Sequence, residues 1–244
     1  FSGGVKTAAI GLAGLATINQ NHALLAHPDS QLGSYSRNPA RQDIEEIGAK
    51  IGVHLALNGI LNQNREIVHA LAGEPGAVMR AGVELSRQVC QVSVPAPYAL
   101  VIASPGGHPK DINLYQAQKG LAHAVRITQP GGSVILLAAC PEGSGSPHYE
   151  EWMRDMHTHS EVIARFQREG FRIGAHKAYQ IARDASQVRL LLCSDMEPAF
   201  ARALLLNPQP NLQTALDSAL AQLPAGERIA ILPHAAATIP TMET

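Results

Sequence analysis

The sequence lacks the features that mark several classes of protein. It carries 19 Lys and Arg against 20 Asp and Glu, and no basic run. This balance argues against nucleic acid or an anionic membrane as the main partner. Aromatic residues make up 4%, too few for surfaces that stack bases. Since no apolar stretch reaches the roughly 18 residues of a membrane span, we expect no nucleic-acid partner and no membrane partner.

Cysteine is also scarce. Cys90, Cys140 and Cys193 are odd in number and scattered, a pattern that suits free thiols in a reducing cytoplasm better than a disulfide framework. Hydrophobic residues make up 45% of the 244 residues, enough for the packed cores of two domains. Because the chain does not begin with Met, we expect that an N-terminal part of the protein precedes it.

The second half of the sequence alternates apolar runs with helical stretches, which predicts a parallel sheet covered on both faces. The expected strands cover residues 98–104, 131–139, 171–175, 188–194 and 228–233, and the expected long helices cover 112–128 and 149–168. Two prolines in the VPAP stretch place a domain boundary at about residue 95. The predicted fold class is therefore α/β, with a Rossmann-like parallel-sheet domain preceded by part of a second α/β domain.

The first half is described by fewer signals. Residues 7–26 are expected to be helical, and Asp43 is expected to cap a following helix through the capping-box spacing to Glu46. Residues 53–61 resemble a buried strand, 65–76 a strand or turn-bounded segment, and 77–90 a helix.

The SGGVKT stretch near the start raises a question about Lys6. It does not fit the phosphate-binding pattern G-x-x-x-x-G-K-[ST], because Val5 separates Gly4 from Lys6 and no suitable glycine lies upstream. Paired glycines permit close approach of the backbone to an anion. The motif alone favours the simpler interpretation, a turn before a helix with an exposed lysine. Further on, His22 and His27 are five residues apart, so they do not share a helix face and do not form a two-histidine metal site.

The stretch SPGGHPKDINLYQAQKGLAHA is the most informative. A strand ends at Ser104, a glycine-rich loop follows, and Asp111 is expected to cap the next helix. Gln116 and Lys119 are three residues apart and share a helix face. Open α/β sheets bind ligands at the carboxyl ends of their strands, and an amide beside an ammonium suits a carboxylate. The alternative is an ordinary capped surface helix. The later loop CPEGSGSPH either lines the same crevice or is a plain connector.

These motifs resemble those of the nickel-dependent lactate racemase family. The resemblance rests on SGGVK, on a histidine sixteen residues after Lys6, on RNPARQDIEE and above all on GGHPKDINLYQAQK, and it extends over essentially the whole chain. It implies a nickel-pincer nucleotide as cofactor, a nicotinic-acid-derived mononucleotide with two sulfur groups. It also implies a racemase or epimerase, an isomerase, that acts on a small 2-hydroxy acid by proton-coupled hydride transfer.

The resemblance implies roles for seven residues: Lys6 forms a thioamide link to the cofactor, His22 ligates nickel, Ser2, Gly3 and Gly4 lie against the nucleotide, and Gln116 and Lys119 contact the substrate. The two acid/base histidines of the family lie upstream of its SGG-x-K motif, so no catalytic residue is assigned here. We therefore expect this chain alone to be inactive, with the N-terminal part of the same protein as its partner.

The family also implies a domain arrangement. Residues 1–94 would be part of the N-terminal cofactor-binding domain, 95–225 the C-terminal α/β domain, and 226–244 a return segment that packs on the first domain. The chain departs from the family at Ile10-Gly11 and Val78-Met79, so the resemblance leaves open whether the lactate-like 2-hydroxy acid is lactate itself. Two alternatives stay open: a non-catalytic cofactor- or ligand-binding fragment or short homologue, and an α/β nucleotide-binding protein unrelated to nickel.

Overall fold

A computed structural model describes residues 1–62, 64–172 and 174–243. The chain forms two compact units, Phe1–Gln91 and Val92–Thr244, so the division falls a few residues before the boundary that the VPAP stretch predicts. Within the described residues, no helix combines the length and the apolar character needed to cross a membrane.

Unit 1 consists mainly of helices with one pair of strands. Its elements are α1 (Lys6–Leu12), α2 (Leu15–Ala23), a 3-10 turn (Leu24–Ala26), α3 (Pro39–Ile51), β1 (Ala56–Leu61), β2 (Ile67–Gly73) and α4 (Pro75–Cys90). The continuous helix expected over residues 7–26 is wrong, because Ala13 and Gly14 adopt extended conformations and separate α1 from α2.

The start of α3 corrects a second expectation. Asn38, and not Asp43, caps the helix: its side chain accepts a hydrogen bond from Arg41 N, and Pro39 occupies the first helical position. Proline fits there because its fixed φ suits a helix and its missing N–H would have no partner. The helix therefore begins five residues earlier than the capping-box spacing indicated, and Asp43 lies inside it.

The strands of unit 1 form an antiparallel pair. One face of the pair includes Ala56 and contacts α4, where Val78 and Met79 are buried. On β1 the alternate residues Leu57 and Leu61 are 77% and 51% exposed. A sheet that is apolar on both faces is typical of a layer between other elements.

Unit 2 alternates strands and helices. Its elements are β3 (Gln91–Val94), β4 (Tyr98–Ala103), α5 (Leu114–Val125), β5 (Thr128–Leu137), α6 (Pro147–Met153), α7 (His159–Glu169), α8 (Ala175–Ala185), β6 (Arg189–Cys193), α9 (Pro198–Ala203), β7 (Pro208–Gln209), α10 (Leu212–Leu220), β8 (Ile229–Leu232), a 3-10 turn (Ala235–Ala237) and β9 (Ile239–Met242).

Two expectations about unit 2 are wrong. The helix expected over 149–168 is two helices, because Thr158 starts α7 with a capping box to Glu161. The strand expected over 171–175 does not form: Phe171 and Arg172 have no regular structure, residue 173 lies outside the described residues, and Ala175 begins α8.

Within the described residues, five strands of unit 2 form a parallel sheet in the order β7-β6-β5-β4-β8. Alternate side chains face opposite sides, so Val101 and Val134 join the core under α5 and α8, whereas Leu100 and Ile135 pack with α10. This doubly covered sheet confirms the α/β fold class.

The last segment supplies strands to unit 2. The strand β8 pairs with β4 and β9 pairs with β3, so the sheet extends past the expected boundary at residue 225. The packing of residues 226–244 on the first domain stays a prediction.

Candidate functional site

The turn before α1 is fixed by contacts with distant residues. Gly4 N donates to Asn58 Oδ1 at 3.0 Å, and Arg41 Nη2 donates to Gly3 O at 3.0 Å. Gly3 and Gly4 have φ angles of +115° and +59°, and a Cβ on Gly4 would lie 2.5 Å from Met79 Cγ. The turn therefore requires glycine for both its conformation and its close packing.

Lys6 and His22 line the same cavity, which has a volume of about 290 Å³. Asn21, Arg41 and Ile44 are among the other residues that line it. Both α1 and α2 pack on α3, which brings side chains that are sixteen residues apart to one space. Ser2, by contrast, lines a second cavity of unit 1 together with residues of β1 and α4.

The orientation of the His22 ring is set by its own helix. Its Nδ1 lies 3.0 Å from Ile18 O. A carbonyl oxygen only accepts, so Nδ1 carries a proton, and Nε2 is the nitrogen that carries the lone pair whenever the ring is neutral. This is the tautomer in which histidine ligates a metal through Nε2. His27 differs: it is exposed, and its Nδ1 accepts from Asp29 N.

Arg41 also lines this cavity, although the sequence pattern did not point to it. Its side chain is only 6% exposed, and it pairs with Glu45 and lies over the Tyr35 ring. Within the described part of the chain, its Nε and Nη1 are buried with no hydrogen-bond partner. Such unsatisfied donors are rare in folded proteins. The Asn-Pro start of α3 was the available signal, because it places Arg41 in the first turn of the helix.

The parallel sheet of unit 2 has a switch point between β4 and β8. The chain leaves β4 for β5 on one side, while β8 returns to the other side. Ser104 N donates to Leu232 O, and Ala235 N donates to Ser104 O, so the two carboxyl ends are held together. A Cβ on Gly106 would lie 3.2 Å from His234 Nδ1, so this loop approaches His234. Ligands of open α/β sheets bind in such a crevice, and the sequence analysis did not single out His234.

The start of α5 corrects another expected cap. Asn113, and not Asp111, caps the helix by accepting a hydrogen bond from Gln116 N at 3.1 Å. Asp111 instead fixes the loop after β5, because its backbone O accepts from Cys140 N at 2.8 Å.

The loop after β5 accepts hydrogen bonds from the first backbone amides of α5. The Leu114 and Tyr115 amides donate to the carbonyls of Gly143 and Ser144, respectively. These donors are therefore not available to an anion, and a ligand at this helix must be held by side chains. The loop therefore packs on the start of α5, and whether it also lines the crevice stays a prediction.

Gln116 and Lys119 meet on the surface of α5, as their spacing predicts. Lys119 Nζ donates to Gln116 Oε1 at 2.6 Å. The neighbouring Tyr115 hydroxyl lies 3.3 Å from His176 Nε2. An exposed ammonium beside an amide can bind a carboxylate through charge and hydrogen bonds together.

Burial makes one of the three cysteines, Cys140, unsuited to act as a nucleophile. All three are unpaired, and burial raises the pKa of the Cys140 thiol to about 12. A thiol with this pKa is protonated at neutral pH, and the thiolate is the reactive form.

Comparisons with known proteins agree with these motifs. Residues 94–239 match the family described as lactate racemase C-terminal domain. The lactate racemase of Thermoanaerobacterium thermosaccharolyticum is 25% identical over 98% of this chain and 57% of its own length. The lactate racemase of Lactiplantibacillus plantarum is 28% identical over 67% of this chain and 39% of its own length. The chain thus matches little more than half of the length of the first relative and less than half of the length of the second.

Solved structures extend the comparison to the fold. The lactate racemase apoprotein from Thermoanaerobacterium thermosaccharolyticum superposes with a TM-score of 0.93 at 25% identity, covering 99% of this chain and 59% of that one. A Thermotoga maritima protein shares the fold with a TM-score of 0.72 at 17% identity, covering 100% and 63%. Because the family match covers more than half of the chain, this chain belongs to the lactate racemase family.

Proposed function

We propose that this chain is part of a racemase or epimerase of a small 2-hydroxy acid that uses a nickel-pincer nucleotide. The observation that carries the proposal is the cavity shared by Lys6 and His22. An amine that can form a covalent link and an imidazole that can ligate nickel meet in one space. Unpaired cysteines support a cytoplasmic location for the protein.

The residues around the cavity fit the cofactor. Lys6 would tether it, His22 would complete its metal coordination, and the buried unsatisfied donors of Arg41 face no partner within the described structure. No group of three or more His, Cys, Asp or Glu among the described residues forms a metal site. In this proposal the cofactor supplies the further donors to a nickel ion at His22, and imidazole and sulfur both suit nickel.

When bound, the nucleotide supplies the nickel and the ring that exchanges hydride with the α-carbon of the substrate. The residues of this chain have simpler tasks. Lys119 attracts the substrate carboxylate as a point charge, and Gln116 offers an amide to the carboxylate or the hydroxyl. The proton of the substrate hydroxyl is assigned to histidines outside this chain, and we propose that the chain alone is inactive.

The partner in this proposal is the N-terminal part of the same protein. The exposed Leu57, Leu61 and Ile67 of the β1–β2 pair support it, since two strands alone rarely form a stable sheet. The parts of the curated lactate racemases that this chain does not match are long enough to cover such a face.

The test uses the full-length protein coexpressed with the enzymes that make the cofactor. Peptide mass spectrometry should find a cofactor adduct on Lys6, and chiral assays with D- and L-2-hydroxy acids should show racemisation. Lys6→Ala should lose both, whereas Lys50→Ala, an exposed change in α3, should keep both. Full racemase activity in Lys6→Ala would disprove the proposal.

A second pair of variants tests the metal ligand. His22→Ala should keep the adduct on Lys6 but lose most of the bound nickel, and His27→Ala should keep both, because His27 is exposed and does not line the cavity. Nickel content is measured by elemental analysis of the purified protein. Unchanged nickel in His22→Ala would remove His22 from the site.

A further inference from the structure

A buried ammonium contacts α5, the helix that carries Gln116 and Lys119. Lys177, on α8, is only 7% exposed. Its Nζ donates to Gln118 Oε1 at 2.8 Å and lies 4.8 Å from the centre of the Tyr115 ring. Since Tyr115 and Lys119 are four residues apart on α5, they share a helix face. Lys177 therefore approaches the same helix that carries the proposed carboxylate site.

The partners of Lys177 do not neutralise its charge. Gln118 is a neutral amide, and its Nε2 donates in turn to Asp184 Oδ2 at 3.4 Å. The Asp184 carboxylate accepts at 2.9 and 2.7 Å from Arg183. A buried ammonium without a bonded carboxylate is costly, and proteins rarely keep one without a reason.

The electrostatic surroundings agree with this geometry. Burial, and after it the positive charge of Lys119, lower the pKa of Lys177 to about 8, whereas Asp184 opposes the shift. Among the described residues, the groups that face Lys177 are Tyr115, Gln118 and Lys119 from α5 and Asp184 from α8. Lys177 and Lys119 therefore repel each other, and an anion bound at Lys119 would relieve that repulsion.

We propose that Lys177 is a positioning residue of the carboxylate site: a second, buried ammonium that strengthens binding of a singly charged 2-hydroxy acid at Gln116 and Lys119. This inference rests on the proposed function. It sharpens the substrate class, because the site selects for a carboxylate and against an uncharged analogue of the same shape.

This role predicts that removing the Lys177 charge preserves or raises the stability of the protein but weakens carboxylate binding. Lys177→Met removes the free-energy cost of desolvating a buried charge, so the variant should melt at the same temperature as the wild type or higher. The same change should weaken carboxylate binding, because the attraction between the anion and the second ammonium is lost. A lysine with a merely structural role would show the opposite change in melting temperature.

The experiment compares D-lactate with D-lactamide as probes on the full-length, nickel-loaded protein, with affinities from NMR titration. Lys177→Met should weaken D-lactate binding about five- to tenfold and leave lactamide unchanged. In turnover, KM should rise while kcat changes little. Lys119→Met should weaken D-lactate binding more strongly, and Lys50→Met serves as the exposed control.

Each outcome decides the matter. If Lys119→Met loses affinity and Lys177→Met keeps it within twofold, the inference is wrong and the proposed function stands. An equal loss of lactate and lactamide in Lys177→Met also overturns the inference, because charge is then not the cause. If the wild type does not prefer D-lactate over lactamide, the carboxylate role of Gln116 and Lys119 in the proposed function fails as well.

Discussion

The two units bury their sheets to very different extents. In unit 2 the central strands of the parallel sheet are covered on both faces, and residues such as Leu100 and Val101 are fully buried, whereas Ile231 on the edge strand β8 is 69% exposed. In unit 1 the β1–β2 pair is covered on one face by α4, while Leu57 stays 77% exposed on the other. Both sheets are built from similarly apolar strands, so the difference lies in what packs against them.

This difference separates two ways of holding a functional side chain. Gln116 and Lys119 lie on a helix whose start is fixed by a cap and by a neighbouring loop of the same unit. Lys6 depends on a glycine turn that is held by Asn58 and Arg41 next to the incompletely covered sheet. We infer that the geometry of the Lys6 cavity depends more on neighbouring elements than the geometry of the Gln116–Lys119 pair does.

The largest effect should come from the core of unit 2. Leu100→Ala removes a fully buried side chain and should cost about 2–5 kcal/mol. Leu57→Ala, the matched change on the exposed face, should change stability by less than about 0.5 kcal/mol. Urea titrations followed by circular dichroism, which reports on the helices of both units, measure both variants. Equal costs for the two variants would contradict the difference between the sheets.

A pH titration sharpens the comparison within unit 2. The pKa of Lys177 is lowered from 10.5 to about 8 by burial, so between these values the unfolded chain binds more protons than the folded one. The free energy of unfolding should therefore rise from pH 8 to pH 10.5 by up to ~3 kcal/mol, and this penalty on folding is fully present below pH 8. Lys177→Met should lack the rise. Parallel stability curves for the two proteins would show that Lys177 is not desolvated.

The close packing of α1 on α3 offers a test in unit 1. A Cβ on Gly48 would lie 2.3 Å from Val5 Cβ, so Gly48→Ala should destabilise unit 1 by about 1–3 kcal/mol and displace the helix that begins with Lys6. Gly11→Ala, with open space at its Cβ, should be neutral or stabilise by up to ~1 kcal/mol. Amide hydrogen exchange of α1 and α3 measures both, and slower exchange in Gly48→Ala would contradict the packing.

The smallest effect concerns one type of helix cap, which occurs in both units. Glu74 and Glu197 each precede a proline at the start of a helix and accept two backbone hydrogen bonds, which lower the pKa of both carboxyls. Their contribution to stability should be present above pH 4.5 and should be lost as the pH falls through the lowered values.

Thermal melts of Glu74→Ala and Glu197→Ala at pH 7 and at low pH check this expectation. Both variants should melt slightly below the wild type at pH 7, and the difference should shrink in acid. A loss that does not depend on pH would mean that the carboxylate charge has no part in the caps.

The sequence predicted the architecture of unit 2 better than that of unit 1. Alternating apolar runs are a local signal, and they located β4, β5, β6 and β8 within a few residues. The expected strand over 171–175 failed because a short apolar run does not distinguish a strand from the approach to a helix. In unit 1 the break at Ala13 and Gly14 was missed, because Ala and Leu on both sides favour a helix and a single glycine weakens a helix without ending it.

Local rules also explain which caps were predicted wrongly. Asp43 and Asp111 both have a capping side chain, but Asn38 and Asn113 lie where the chain enters the helix. Chain entry is set by Pro39 in one case and by the packing of the loop after β5 on α5 in the other. The second cause involves residues about thirty positions away and has no local signature.

The sequence by itself determined the spacing of the motifs, the alternation of strands and helices, and the shared face of Gln116 and Lys119, because these follow from the fixed geometry of neighbouring residues. Only the tertiary structure decided that Lys6 and His22 line one cavity, that Arg41 is buried beside them, and that Lys177 lies behind Tyr115. Those placements depend on how helices pack, and packing is decided by contacts between residues that are far apart in the chain.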